Sequence, residues 1–256
     1  MGLLYLRIAY SVDKVPTVSD TKRNFYANHT RPINSVYRRL VEELMVEMHL
    51  LSVNTDFRYD PIYGLGVVTA FDRFIQGYRP ESDISSIFSA LCQAVGGDPQ
   101  KYRRDAETLK AIATPLSVEQ LTSWNSSLMS QDSAGELYEG LKDIAFNDKF
   151  KYSRLFAIGL YALLEQCDAE VLKQDKERDR VLQELSESLS VSFDKVQKDL
   201  DLYRSNLEKM EQVQSILKDT LQADRKKRQE RLLEKQTPEE AESDPQDSSE
   251  EQNEAS

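Results

Sequence analysis

The stretch RPINSVYRRLVEELMVEMHLLS, residues 31–52, decides the fold class. Its apolar members Ile33, Val36, Tyr37, Leu40, Val41, Leu44, Met45, Met48 and Leu51 recur in steps of three and one, so they share one broad helical face. Pro32 suits a first helical turn, where its missing N–H costs nothing. Arg38–Glu42 and Arg39–Glu43 stand four apart, within reach of local pairing. The same helical signature repeats on both sides. A short helix is expected from about Ser19, capped by Ser19 or Asp20. Asp60-Pro61 opens a helix running to Gly77, and Ser82/Asp83 opens one that Gly96-Gly97 stops. Asp98-Pro99 opens another, and Ser117-x-x-Gln120 has capping-box spacing. Polar residues 123–135 read as a loop. Helical pattern resumes at 136–146, at 152–166 (apolar nearly all round, hence central) and in a charged helix over 170–190.

Composition agrees. Glycine (9) and proline (8) are scarce in 256 residues, and 30 leucines outnumber the 26 valines and isoleucines combined, so the chain leans to helix. The last helix, capped by Ser192, carries Val196, Leu200, Tyr203, Leu207, Met210, Gln214, Leu217 and Leu221 in alternating steps of four and three, a heptad seam with one polar member. The pattern fits a homotypic coiled coil, with Asp199–Arg204 as a candidate interchain pair, a docked partner helix, or packing on the chain's own body. Apolar Val213 widens the face and favours the last, with the distal part free for a partner. The expected architecture is all-α: a multi-helix globular bundle over 15–190, a long coiled-coil-like C-terminal helix over 191–235, and a disordered acidic tail over 236–256. Residues 1–14 are expected as an N-terminal arm: apolar LLYLRIAY (3–10) is too short to span a bilayer and is interrupted by Arg7, and it fits a packed arm or a start placed upstream of the true one ahead of a membrane-surface anchor.

Net charge is −11, but residues 237–256 hold eight acidic and no basic side chains, so 1–236, with 33 basic and 36 acidic residues, carries only −3. Nothing supplies the positive field that nucleic-acid binding needs. The exception is local: Arg225-Lys226-Lys227-Arg228, a candidate contact for anionic lipid or a solvated helix end. Catalytic and metal motifs fail one by one. Gly64-Leu65-Gly66 lacks the third glycine and the preceding strand of a dinucleotide loop, and reads as close helix packing. Glu42 and Glu43 are adjacent and diverge, so they make no acid–base dyad. Glu43, Glu47 and His49 miss zinc-protease spacing. Cys92 and Cys167, 75 residues apart on apolar faces, read as buried free thiols, and Trp124 as a plug at a helix junction. No cofactor and no catalytic residue is expected.

One resemblance adds to this. VPTVSDTKRNFY (15–26), RPINSVYRRLVEELMVEMHLLSVN (31–54), FRYDPIYGLGVVTAFDRFIQGY (57–78) and IFSALCQAVGGDP (87–99) resemble, in order, the thylakoid-formation protein family, called the photosystem II biogenesis protein in cyanobacteria. The likeness is strong to about Ala113 and looser from 120 on. It implies a non-enzymatic, all-helical accessory protein of thylakoid organisation and photosystem II biogenesis and repair. The implied partner is a membrane-bound FtsH-type protease, with photosystem II-associated proteins contacted indirectly. The implied place is the cytoplasmic side of a cyanobacterial thylakoid, peripherally bound. The family brings no catalytic residues. Asp20, Lys22, Arg23, Arg38, Arg39, Asp72 and Arg73 are the charged members of the matching text, to be divided between internal ion pairs and a docking surface. Arg38, Arg39, Asp72, Arg73, Leu207, Met210, Leu217 and Leu221 are the partner-binding candidates, and Arg225, Lys226, Lys227 and Arg228 the lipid-contact candidates.

Overall fold

The computed structural model describes residues 15–126 and 131–234; for 131–134, 217, 218, 221 and 232–234 it describes the backbone alone. The arm over 1–14 and the acidic tail over 236–256 lie outside the described residues. The described residues form α-helices and two 3-10 turns, with no strand among them. The helices are α1 Val18–Asn28, α2 Ser35–Ser52, α3 Pro61–Phe74, α4 Ile84–Ala94, α5 Pro99–Ala113, α6 Val118–Thr122, α7 Gln131–Ala145, α8 Arg154–Cys167, α9 Asp175–Ser188 and α10 Phe193–Glu234. The chain divides into one compact unit up to Met210 and a second from Glu211.

Local chemistry places most helix starts. Asp60 accepts from the Tyr63 N–H at 2.8 Å and Pro61 is the first residue of α3. Asp98 accepts from Gln100 N–H at 2.9 Å before Pro99. Ser117 and Gln120 close both halves of the expected capping box. Two starts differ from the sequence reading. α1 is capped by Thr17, which exchanges bonds with Asp20 at the third helical position, the reciprocal geometry that Ser19 or Asp20 as cap lacks. α2 begins after Asn34, whose side chain accepts from Val36 N–H at 3.1 Å; Pro32 lies ahead of the helix because a short amide satisfies an orphan donor there. α7 starts at Gln131, inside the segment read as loop, since polar composition marks exposure and does not forbid helix. The expected helix over 170–190 is split into a 3-10 turn, Val171–Lys173, and α9. The Asp168 side chain accepts from Glu170 N–H at 2.8 Å and turns the chain there. α4 ends as expected at Gly96, whose φ of 78° closes the helix at no steric cost.

The core centres on α3 against α8. Every residue of α3 from Ile62 to Phe71 is buried, as are Leu155–Leu160 of α8. A Cβ placed on Gly66 would lie 1.7 Å from the Leu155 carbonyl oxygen, and one on Gly159 2.0 Å from that of Ile62. Two glycines on facing helices therefore let the backbones touch, which is the reading given to Gly64-Leu65-Gly66. Tyr37 and Leu44 of α2 are core residues. Trp124 is buried after α6 and its Nε1–H donates to Ser188 Oγ of α9 at 2.8 Å. The first half of α10 joins the core through Val196, Leu200, Tyr203 and Met210, with Leu207 half-buried against it. Burying such side chains contributes about 1.5–3 kcal/mol each, so the proximal seam is spent on the chain's own body.

Candidate functional site

The charged residues singled out in the sequence divide into stitches and free surface. Asp72 of α3 accepts from Arg103 of α5 at 2.6 Å, and the Arg103 guanidinium lies 4.1 Å from the centre of the Phe88 ring. Arg73 pairs with Glu165 of α8. Both residues therefore tie α3 to its neighbours. Asp20 serves the α1 cap and Arg23 pairs with it at 3.1 Å. Lys22 reaches Glu42 of α2 at 2.8 Å, and Tyr26 donates to the same carboxylate at 2.7 Å. Together these hold the Glu42 carboxyl below the usual range against the opposing pull of burial. The spacing put Arg38 within reach of Glu42; its hydrogen-bond and ion-pair partners come from α1, while exposed Arg38 adds a favourable charge. Arg39 and Glu43 pair at 3.0 Å as the four-residue spacing predicts, with Arg39 exposed.

One further stitch was not legible in sequence. Glu47, mostly buried, accepts from Arg154 Nη2 at 2.7 Å and from the Leu155 N–H at 3.2 Å. It pairs the first cation of α8 and satisfies an orphan donor of its first turn. Burial raises the Glu47 carboxyl, and Arg154 opposes that. Nearby, Tyr152 donates to Asp199 of α10 at 2.8 Å, so Asp199 is engaged within the chain, while Arg204 lies 3.9 Å from Asp201.

Among the described residues these pairs tie helices to one another. The histidines sit apart: His49 Nδ1 meets Thr21 Oγ1 at 2.8 Å, and His29 Nδ1 meets Ser86 Oγ at 3.0 Å. No group of three or more His, Cys, Asp or Glu poised for a metal occurs among the described residues. Burial pushes the Cys92 thiol up to about 12 and the Cys167 thiol up to about 11, so neither is an activated thiolate. A broad open groove of about 830 Å³ runs between α4 and α5, lined by Ile84, Phe88, Ser85, Ser89, Arg103 and Arg104. Its one inward-stacked cation, Arg103, is already engaged by Asp72. No described helix is long and apolar enough to cross a membrane.

Exposed apolar side chains escaped the sequence reading. Leu50 is 60% exposed, Phe146 78% and Ile216 64%. Each lies off the helical stripe of its neighbours, and that offset was the available signal. Ile216 sits on the stretch of α10 beyond Met210, where the described side chains are exposed or half-buried. Arg225, Lys226, Lys227 and Arg228 are all exposed there. The Leu217 and Leu221 side chains lie outside what is described.

The thylakoid formation protein family model matches residues 17–232. The chain belongs to that family. Among family relatives, Protein Thf1 of Gloeothece citriformis is 58% identical over 87% of this chain and 99% of its own length. Protein Thf1 of Trichormus variabilis is 59% identical over 87% of this chain and 95% of its own, and that of Synechocystis sp. 51% identical over 84% and 90%. A solved structure of Psb29 shares the fold at a TM-score of 0.72, with 45% identity over 83% of this chain and 98% of that one. As a thylakoid formation protein with Psb29-like architecture, the chain is an all-helical, photosystem II-related protein of thylakoid formation. The family is one of accessory proteins.

Proposed function

We propose that this thylakoid formation protein is a non-enzymatic accessory factor in thylakoid organisation and photosystem II biogenesis and repair, and that it works by binding and supporting an FtsH-type membrane protease complex. The resemblance to the family motivates the partner. One structural observation carries the mode of action: while the charged residues of the body are largely paired with one another, the helix beyond Met210 offers exposed side chains, Ile216 among them. Arg23, Arg31, Arg38 and the Arg39–Glu43 pair are among the exposed charges of the family motif on the body. The site of action is the membrane surface on the cytoplasmic side.

Recovery of protease subunits from solubilised thylakoid membranes tests this, comparing the full chain with one ending at Met210. That endpoint keeps Val196, Leu200, Tyr203 and Met210 in the core, which a cut before α10 would remove. The full chain is expected to recover the protease and the shortened one to lose most of it. Equal recovery refutes a role for the terminal helix, and no recovery by the full chain refutes the partner. The exposed cations from Arg225 to Arg228 support a second reading, direct binding of anionic thylakoid lipid. Flotation with phosphatidylglycerol vesicles decides it: salt-sensitive binding supports lipid contact, and no flotation ends it.

A further inference from the structure

One exposed apolar side chain of the body stands in a groove of its own. Leu50, 60% exposed, and half-buried Val46 belong with Arg39 and Glu43 to the outward stripe of α2, at spacings of four, three and four. Val18 at the start of α1 joins them, and the three apolar side chains line an open groove of about 580 Å³. Along α2 the groove reaches from Arg39 to Leu50, eleven residues or about 16 Å at the helical rise. Its charges are closed on one another: Lys22 pairs with Glu42 at 2.8 Å, Arg39 with Glu43 at 3.0 Å and Arg154 with Glu47 at 2.7 Å. Three cations and three carboxylates leave the lining with no net charge.

These features select the occupant. An anionic membrane gains nothing from a lining without net positive charge, and nucleic acid fails for the same reason. A second copy meeting this face across a two-fold axis sets groove against groove and leaves both unfilled. A partner that fits brings a convex apolar ridge, without charge where it crosses Val18, Val46 and Leu50. An amphipathic helix supplies that ridge: its residues at i, i+4 and i+7 span about 10 Å, within the length of the groove. The flanking ion pairs then exclude water around an apolar centre, the arrangement in which a contact contributes most. We propose that the groove between α1 and α2 docks an amphipathic helix of a partner protein by its uncharged apolar face. This goes beyond the proposed function, which places contact on the helix beyond Met210, and adds a second contact on the other unit.

The probe is a synthetic helix of leucine and serine only, with its leucines on one face, titrated into the full chain carrying isotope-labelled valine and leucine methyl groups. Saturable nuclear magnetic resonance shifts at Val18, Val46 and Leu50 are expected. Leu50→Glu, at a side chain exposed enough to leave the fold intact, should weaken binding about tenfold or more. Leu50→Ser, which adds no charge, should weaken it in the same direction. Phe146→Ser removes a still more exposed apolar side chain elsewhere and should change nothing. No saturation, shifts centred elsewhere, or an equal loss in Phe146→Ser overturns the proposal. So does a dimer in sedimentation, or flotation with phosphatidylglycerol vesicles, that vanishes in Leu50→Glu, since the groove then has another occupant. Recovery of the protease from thylakoid membranes separates this from the proposed function. Recovery without peptide binding overturns the groove alone, and peptide binding without recovery overturns the protease partner alone.

Discussion

Replacing Gly66 by alanine tests whether the α3–α8 crossing is as close as the core requires. The added Cβ would stand 1.7 Å from the carbonyl oxygen of Leu155 and 2.9 Å from the Gly159 nitrogen, all backbone atoms that no rotamer change can move. Relief needs the helices to part by about 1.5 Å, and a gap of 0.5–1 Å already forfeits a quarter to a half of a dispersion contact. The facing residues from Ile62 to Phe71 are buried throughout, so the loss is shared by the whole interface. Overpacking of this kind costs about 3 kcal/mol. Alanine's better helix propensity returns about 1 kcal/mol. The net, about 2 kcal/mol, lowers the melting temperature by roughly 4–8 °C in a domain of this size. Gly140 of α7 is the internal control: a Cβ there meets nothing within 4 Å, so Gly140→Ala keeps only the propensity gain and raises the melting temperature by about 1–4 °C. Thermal unfolding followed by far-ultraviolet circular dichroism reads both. Gly66→Ala in a Gly159→Ala background should cost less than alone, since helices already parted accept a second methyl. Equal melting of Gly66→Ala and the parent, or shifts of the same sign for Gly66→Ala and Gly140→Ala, refutes the argument.

Other outcomes follow from the polar contacts. Glu47→Ala leaves Arg154 unpaired and the Leu155 N–H without its acceptor; with both side chains only partly desolvated the cost is about 2 kcal/mol. Urea denaturation should show it, with much of the loss recovered when Arg154→Met is added. Burial lowers the His29 pKa, with Arg31 adding to the shift and Asp83 opposing it, so the folded chain favours the neutral ring. The unfolded chain then binds the extra proton first: stability is full above the ordinary value of 6.5 and is lost as pH falls from there through the folded-state value. His29→Gln should therefore flatten the fall in melting temperature between about pH 7.5 and 5; an unchanged slope assigns that fall to other groups. Both thiols should react with a thiol reagent at about pH 8 at least 100-fold more slowly in the folded chain than in urea, with half-buried Cys167 ahead of Cys92.

What the sequence disclosed was the chemistry that acts within four residues. Asp60-Pro61, Asp98-Pro99 and Ser117-x-x-Gln120 start helices as read, and Arg39–Glu43 pairs as read, because each is settled inside one turn. Thr17 displaces Ser19 at the α1 cap for a similarly local reason, but one that depends on reciprocity with Asp20, where two capping residues compete. Long-range contacts were hidden. Glu42 had a cation within local reach four residues back in Arg38, yet Lys22 and Tyr26 on another helix make its direct contacts. Glu47 entered the sequence reading only as a residue that misses zinc-protease spacing, and it caps a helix more than 100 residues away. No periodicity in 31–52 encodes either choice.

The heptad seam shows most plainly how one pattern serves different ends. Val196, Leu200 and Tyr203 are buried in the chain's own body, Leu207 is half-buried against it, and Met210 is 6% exposed. Asp199, the candidate for an interchain pair, accepts from Tyr152 of the same chain. Only Gln214, Leu217 and Leu221 of the sequence pattern then remain for a second helix, before Asp224 and Arg225 end the repeat. Three seam positions, about one and a half heptads with one polar member, fall short of the three to four heptads that sustain a coiled coil. A partner meeting this stretch must therefore bring its own surface, apolar opposite Ile216 and its neighbours and acidic opposite the run from Arg225. A folded protein or an anionic membrane offers that, whereas a second copy of the same short seam would set basic run near basic run in a parallel pair. Under the proposed binding role, the charge pattern and the seam's length favour a heterologous partner over a second copy of this chain at the end of α10.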